Sequence, residues 1–344
     1  MAALKYSGLH LIALLTVLGY LVGGMWMWTG IVLIASLAML GDELLGEDHK
    51  PAKDSRNLLY DVLLWITPLV QFAVVLSLAS SLKNESWYNI FGGVLGAGFT
   101  FGALGLTAGH ELIHRLNSKW QRFIGTLLYA ATFDSYFAWS HPFGDHRYVC
   151  TPKDTSTAQR GETVYVFMWR SATTSWLDGY QIGKRKAKNQ LGEGFVWYKN
   201  PVVWQHSYSL VWLLAWWLGG GWLGLGAGIL AGLLGKCLLE AVNYIEHYGL
   251  ARAPKSRVEP HHSWNSASAA SQFFMFNISR HSDHHANGLK PYQKLLSHKS
   301  LPSLPHGYLT MILLSLAPWV FFKVMKQPLR NWDMAYGLSN DKNA

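Results

Sequence analysis

Residues 58–114 read LLYDVLLWITPLVQFAVVLSLASSL (58–82), KNES (83–86), WYNIFGGVLGAGFTFGALGLTAG (87–109) and HELIH (110–114). Each apolar run is long enough for a helix to cross the hydrocarbon of a bilayer, which takes about 20 residues. Four polar residues between them permit little more than a tight reversal, so the runs are antiparallel neighbours. The second run ends on two histidines four apart, which places both imidazoles on one helical face.

The same device recurs on either side of this stretch. Apolar runs at 8–26 and 29–45 are separated by the segment from Gly23-Gly24 to Gly30, and runs at 203–219 and 222–243 by Gly219-Gly220-Gly221. The expected fold is an all-α integral membrane protein with about six transmembrane helices in three hairpins. Runs at 120–139 and 304–325 are also apolar, but an unmatched crossing would send histidine-bearing segments to opposite sides. They are read as interfacial or buried helices. The chain 1–344 is thus expected to be one membrane-embedded domain, with helices at about 8–109 and 203–243 and a histidine-rich cap at about 110–202 and 244–325.

Composition agrees. Half of the 344 residues are hydrophobic and 14% are charged, against about 25% charged in soluble proteins. Seventeen Trp and 16 Tyr suit the boundary between hydrocarbon and headgroups. The start, MAALKYSGLHLIALL, lacks a small-residue cleavage site and is read as a retained first span rather than a signal peptide. Cys150 and Cys237 are too few for a disulfide framework and too far apart for a C-x-x-C site. The net charge of +9 comes without a basic helix, zinc-finger spacing or aromatic RNA-binding motif, so nucleic acid is not an expected partner.

Basic residues near span ends mark the cytoplasmic side. The three hairpin tips carry Lys83, whereas the opposite side carries Lys50, Lys53, Arg56 and the segments Arg115 to Lys199 and Arg252 to Lys299. Both termini and both long polar segments are expected in the cytoplasm. That places four histidine groups at one membrane face: His110 and His114; His141 and His146; His247; and His281, His284 and His285.

Each group has an ordinary explanation when taken alone, such as a capped helix end or an interfacial histidine. Three imidazoles within the five residues His281–His285 are the exception, being costly to gather without a metal. Eight imidazoles exceed the four donors a zinc ion takes and suit two ions accepting five or six nitrogens. Imidazole is compatible with zinc, copper, iron or nickel, so the metal stays open on these grounds. Asp145, Glu111, Glu246 and Asp283 are candidate ligands, groups that orient the ligand imidazoles from behind, or solvated interfacial acids. His10, His49, His206, His298 and His306 lack such company and receive no ligand role.

These motifs resemble those of the membrane-bound alkane 1-monooxygenases, within the membrane fatty-acid desaturase and hydroxylase superfamily. HELIHR (110–115) is similar to the family's HELxHK-like box, and NYIEHYG (243–249) to NYxEHYG. NISRHSDHHAN (277–287) resembles the LQRHSxHH box, and EPHHSWNS (259–266) contains the family's HSWNS. SHPFGDHRYVCTPKDTSTAQRGET (140–163) resembles EHxxGHH followed by TPxDPAS and a GE pair. Here the chain departs: Asp145 stands where the family has a middle histidine, and Ser140 where it has glutamate. The likeness runs over about residues 100–310.

The resemblance implies two iron ions cycling between Fe2+ and Fe3+, and O2 as co-substrate. It also implies a rubredoxin or ferredoxin-type electron donor with its reductase, docking by attraction to a basic surface. The expected activity is hydroxylation of a terminal methyl group of a medium-chain alkane or similar hydrocarbon, at a site facing the cytoplasm from the inner membrane. Alternatives are an aromatic-methyl hydroxylase of the xylene type, a lipid desaturase and an intramembrane zinc protease. The last reads HELIH as H-E-x-x-H with Glu111 as base but leaves the other histidine groups idle.

Overall fold

The computed structural model describes residues 2–50 and 58–337, so Lys53 and Arg56 of the orientation argument lie outside the described residues. Among the described residues the structure is helical, with two isolated β-bridges, Glu47 to Ser268 and Asn265 to Ser303. The first half comprises α1 (Gly8–Val22), α2 (Thr29–Leu44), α3 (Leu59–Ser81), α4 (Trp87–Phe99), α5 (Leu106–Ile113) and α6 (Lys119–Ala130). After these come the short α7 (Phe137–Ser140) and α8 (His146–Tyr148), then α9 (Val164–Leu191), α10 (Pro201–Gln205) and α11 (Tyr208–His247). The chain closes with α12 (Ala269–Phe274), α13 (His281–Ala286), α14 (Tyr308–Ser315) and α15 (Pro318–Tyr336).

Among the described residues, five helical stretches are long and apolar enough to cross a membrane: Ala3–Val22, Gly24–Leu44, Leu59–Asn84, Trp87–Ile113 and Pro201–His247. The fifth holds both runs read from 203 to 243, because it folds back on itself. Gly221 has φ 61° and ψ −145°, a backbone region that side chains with a Cβ avoid. Beyond it Gly228 lies against the Trp216 ring, although twelve residues of continuous helix would span about 18 Å.

All three reversals meet at one end of the bundle. The Gly24 amide donates to Glu85 Oε1 at 2.7 Å, Ser81 Oγ donates to the Tyr20 carbonyl at 2.8 Å, and Gly219 and Gly220 pack on Ala79. Exposed Trp26, Trp87 and Trp222 ring this end, as an aromatic belt at a membrane interface would. Helices in lipid gain little from hydrophobic burial against each other and pack through small residues instead. Gly92 accordingly sits under Trp28, Gly98 against Leu234, and Gly102 against Leu238. This close approach locks α4 and the turn that follows it to α11, and the histidine-bearing ends of α5 and α11 emerge together at the opposite end.

There the cap differs from the sequence reading in three respects. The run at 120–139 forms α6, a turn and α7 rather than one helix, and α6 packs along α5 through Gly125 on Gly109. The run at 304–325 is two helices, and α15 continues to Tyr336, past the expected cap boundary at 325. The long polar segment Arg115 to Lys199, given no internal structure from the sequence, contains the 28-residue α9, capped by the Thr163 side chain accepting from the Val166 amide.

Candidate metal centre

Two helix ends deliver the first three histidines. His110 and His114 lie one turn apart at the C-terminal end of α5, with ring centroids 4.8 Å apart. His247 is the last residue of α11. His141 and His146 arrive differently, because residues His141–Asp145 form a π-helical turn in which the His146 amide donates to the His141 carbonyl. A π turn closes i onto i+5, so two side chains five apart share one side. Their Nε2 atoms are 3.2 Å apart. A second π turn, Thr100–Gly105, directly precedes α5.

The short helix α13 divides its histidines between two neighbouring sets. His284 joins His110, His114, His141 and His146, and His281 and His285 join His247; within each set the candidate donor atoms lie within 4.8 Å of one another. Ring nitrogens face each other at close range: His110 and His141 Nε2 at 2.8 Å, His146 and His284 Nε2 at 3.0 Å, and His281 and His247 Nε2 at 3.2 Å. A pair of imidazole nitrogens can share one proton, but five converging on one point cannot all be satisfied by protons. His114 Nε2 and His285 Nε2 are buried without any hydrogen-bond partner, as are Asp145 Oδ1 and Glu246 Oε1.

Burial pushes His114, His141, His146, His281 and His285 well below the ordinary histidine range, and His284 to about 3. Neutral imidazole is the form that binds a metal. A nitrogen-rich donor set with orphaned lone pairs pointing inward therefore fits two transition-metal ions, and a site for calcium or magnesium would be built of oxygens instead.

The four carboxylates part company. Asp145 Oδ2 lies 2.8 Å from His141 Nδ1, off the N–H direction, and 3.5 Å from His285 Nε2. Glu246 Oε2 lies 3.2 Å from His281 Nε2. Glu111 turns away from the imidazoles: it binds Arg115 at 3.2 Å and accepts from the Tyr292 amide at 3.2 Å. Asp283 likewise binds Lys290 at 2.6 Å and the Leu296 amide at 2.7 Å. Both carboxylates thus hold the chain that follows α13, Glu111 through the Tyr292 amide and Asp283 through Lys290 and the Leu296 amide. A carboxylate committed to an arginine is also unsuited to the general-base role in a zinc protease. The sequence reading gave no role to Asp154, which is buried behind Asp145 and hydrogen-bonded to it. Its placement in TPKD, eight residues beyond His146, offered the one hint.

An apolar cavity of about 120 Å³ lies between α2, α4, α11 and α14, lined by residues including Ile34, Phe99, Gly102, Leu238, Val242 and Ile312. Gly102 and Val242 also line a pocket of about 20 Å³ whose far wall is His110 and His141. The two spaces share Gly102 and Val242 as walls, so the apolar cavity ends next to the pocket that His110 and His141 line. On the outer surface, a groove of about 410 Å³ is lined by Trp139, Phe143, Arg147, Arg185 and Lys186. It lies beside His146, the least buried of the eight histidines.

The fatty acid desaturase family profile matches residues 85–315. Alkane 1-monooxygenase 2 of Pseudomonas aeruginosa is 32% identical over 324 residues, covering 89% of this chain and 84% of the relative. Alkane 1-monooxygenase 1 of Alcanivorax borkumensis is 32% identical, covering 90% and 80%. The hydroxylase component of a xylene/toluene monooxygenase of Pseudomonas putida is 27% identical, covering 99% and 93%.

Proposed function

This chain belongs to the alkane 1-monooxygenase family, within the fatty acid desaturases, and from that premise we propose that it hydroxylates the terminal methyl group of a medium-chain alkane with O2 and two iron ions. The observation that carries the reading is the apolar cavity that shares Gly102 and Val242 with the pocket lined by His110 and His141. A hydrocarbon dissolved in the bilayer would enter between α2 and α14, and the small histidine-lined pocket would admit its end rather than its middle.

In this reading His110, His114, His141, His146 and His284 hold one ion, and His247, His281 and His285 hold the other. The chemistry that bound iron supplies is activation of O2 for insertion into a C–H bond. The protein contributes position and exclusion. Phe137 stacks on His141 with centroids 4.8 Å apart and fixes that ring, while Leu106, Leu239 and Ile278 keep water from the approach. Glu246 stands 3.2 Å from His281 Nε2, on the side of that ring that faces His247, and the neutral imidazoles leave the carboxylates to offset the charge of the ions.

Electrons would come from a rubredoxin or ferredoxin-type carrier and its reductase. Arg147, Arg185 and Lys186 beside His146 give an acidic carrier a surface to recognise near the centre. The cations of the cap favour a cytoplasmic membrane location with the centre facing the cytoplasm. An aromatic-methyl substrate is the second reading, supported by the xylene/toluene relative, and the lower identity of that relative ranks it behind the alkane.

The test is iron content of the purified protein together with product analysis after supplying octane, O2 and a rubredoxin system. Two irons per chain and formation of 1-octanol are expected. One zinc ion with no alcohol would overturn the reading, and hydroxylation of xylene with octane untouched would replace the alkane by the aromatic substrate.

A further inference from the structure

Asp145 is buried to 4% exposure, yet among the described residues its ionic contacts are histidines: His141, His247 and His285. No lysine or arginine compensates its charge there. Ionised, this carboxylate faces imidazole nitrogens and no protein cation, so a bound metal ion would supply the opposite charge.

The distances indicate where that cation would sit. Asp145 Oδ1 is 3.8 Å from His247 Nε2, and Oδ2 is 3.5 Å from His285 Nε2. Both exceed a good hydrogen bond. Two donors on one transition metal, each about 2.1 Å from it, stand roughly 3.0–3.4 Å apart in octahedral or tetrahedral arrangement. The His281–His247 separation of 3.2 Å falls in that range, and the Asp145 distances lie just outside it. Asp145 Oδ1 and His285 Nε2 are moreover both without hydrogen-bond partners. The π turn that presents His141 and His146 to the five-histidine set also brings Asp145 between the two sets, where its donor oxygen and the donor nitrogens of His146 and His285 lie within 4.8 Å of one another, and within 3.8 Å of His247.

We propose that Asp145 is a metal ligand, completing the three-histidine set as a site of three imidazoles and one carboxylate beside an all-imidazole one. The two ions then occupy inequivalent environments, one with neutral donors and one with an anionic oxygen. Asp154 acts on the ion through Asp145: Thr157 Oγ1 donates to its carboxylate at 2.5 Å and the Ser156 amide at 3.0 Å. It is a positioning residue. This inference rests on the two-metal reading above but is independent of which hydrocarbon is oxidised.

The experiment loads the full chain and its Asp145→Asn and Asp145→His variants with 57Fe, then measures iron stoichiometry, affinity at each site and Mössbauer spectra. Wild type is expected to hold two ions giving two distinct doublets. Asparagine keeps the shape and a weak oxygen donor but lacks the charge. Asp145→Asn should bind the second ion more than about 100-fold less tightly, beyond the roughly 10–100-fold typical of an orienting residue, and keep the first. Asp145→His should hold both ions and shift one doublet alone, which also shows that the position tolerates substitution. A loss of about 100-fold or less at the second site, an equal loss at both sites, or unchanged doublets in Asp145→Asn overturns the assignment in favour of an orienting role. Wild-type protein holding fewer than two ions overturns the two-metal reading with it, whereas two irons without alcohol product would sink the hydroxylation and leave the ligand in place.

Discussion

Replacing Arg280 with methionine should cost more than removing any surface charge of this protein, and the structure says why. The side chain is 1% exposed. Its Nε and Nη2 donate to Gln272 Oε1 at 3.0 and 2.6 Å, Nη1 donates to the Leu295 carbonyl at 2.6 Å, and Nη2 donates to the carbonyls of Asp48 and Lys50 at 3.0 and 2.9 Å. Methionine fills much of the volume and strands three of the four acceptors, the Asp48 carbonyl keeping its bond from Gln272 Nε2 at 2.8 Å. At about 1–3 kcal/mol for each buried group left unpaired, the sum exceeds what single substitutions usually cost. Relaxation should hold it near 4–5 kcal/mol. At roughly 2 °C per kcal/mol for a large domain, the unfolding temperature in detergent should fall by about 8 °C or more. Because Arg280 is the N-cap of α13, iron content should fall with it. Arg160 is the control: it also grips a partner with two bonds, to Asp333 at 2.8 and 2.6 Å, but the pair is half exposed. Asp333→Ala should cost under about 1 kcal/mol. An Arg280→Met protein that melts within about 2 °C of wild type, with its iron intact, would refute the reasoning.

Three further outcomes are expected. His284→Ala and His247→Ala should each lose one ion and keep the other, measured as iron per chain; loss of both from either variant would show that the two sets are not separable. Val242→Phe adds bulk to the wall shared by the apolar cavity and the histidine-lined pocket, so turnover of octane should fall at least about 10-fold, the scale of a misfit methylene, at unchanged iron content; unaltered turnover would move the substrate path elsewhere. His262 accepts from the Glu259 amide through Nδ1 at 2.9 Å and must be neutral to do so, and burial pushes it down to about 3. The unfolded chain, with an ordinary value near 6.5, takes up this proton first as pH falls. The stability it contributes is therefore complete above about pH 6.5 and lost progressively towards pH 3. The unfolding-temperature difference between wild type and His262→Gln should shift steadily between about pH 7 and 5; a constant difference would contradict it.

The apolar spans and their glycine-marked reversals were legible because transfer to lipid reads composition directly, and Gly221 shows its purpose in its backbone angles. The gathering of eight histidines at one end followed from the same topology. Their division into sets was not legible. Spacing within α13 says that His281 and His285 share a face, but not that His284 meets a helix more than a hundred residues away. The π turn at His141–Asp145 has no propensity signature, since HPFGD alone is read as easily as a loop. The orientation of Glu111 and Asp283 was not legible either, because adjacency to a histidine in sequence says little about direction. Each points to a cation, Arg115 or Lys290, that lies four or seven residues further on.

The two halves of the centre are held by different physics. His110, His114 and His247 stand on the ends of long helices, and their positions follow from glycine-mediated packing along α4, α5 and α11. His281, His284 and His285 stand on a helix of six residues, far below the length at which a helix persists by itself. Its position is imposed from outside: Arg280 grips three segments at its start, the Ser282 amide donates to Asn265 Oδ1 at 2.9 Å, and Asp283 fixes Lys290 and the Leu296 amide. The same short helix serves both sets, so a loosened clamp moves donors in both at once, whereas a change in one long helix disturbs its own set first. Substitutions in these polar clamps should therefore lower iron occupancy at both sites together, and losses confined to one site should come from the ligands themselves or from the helices that carry them.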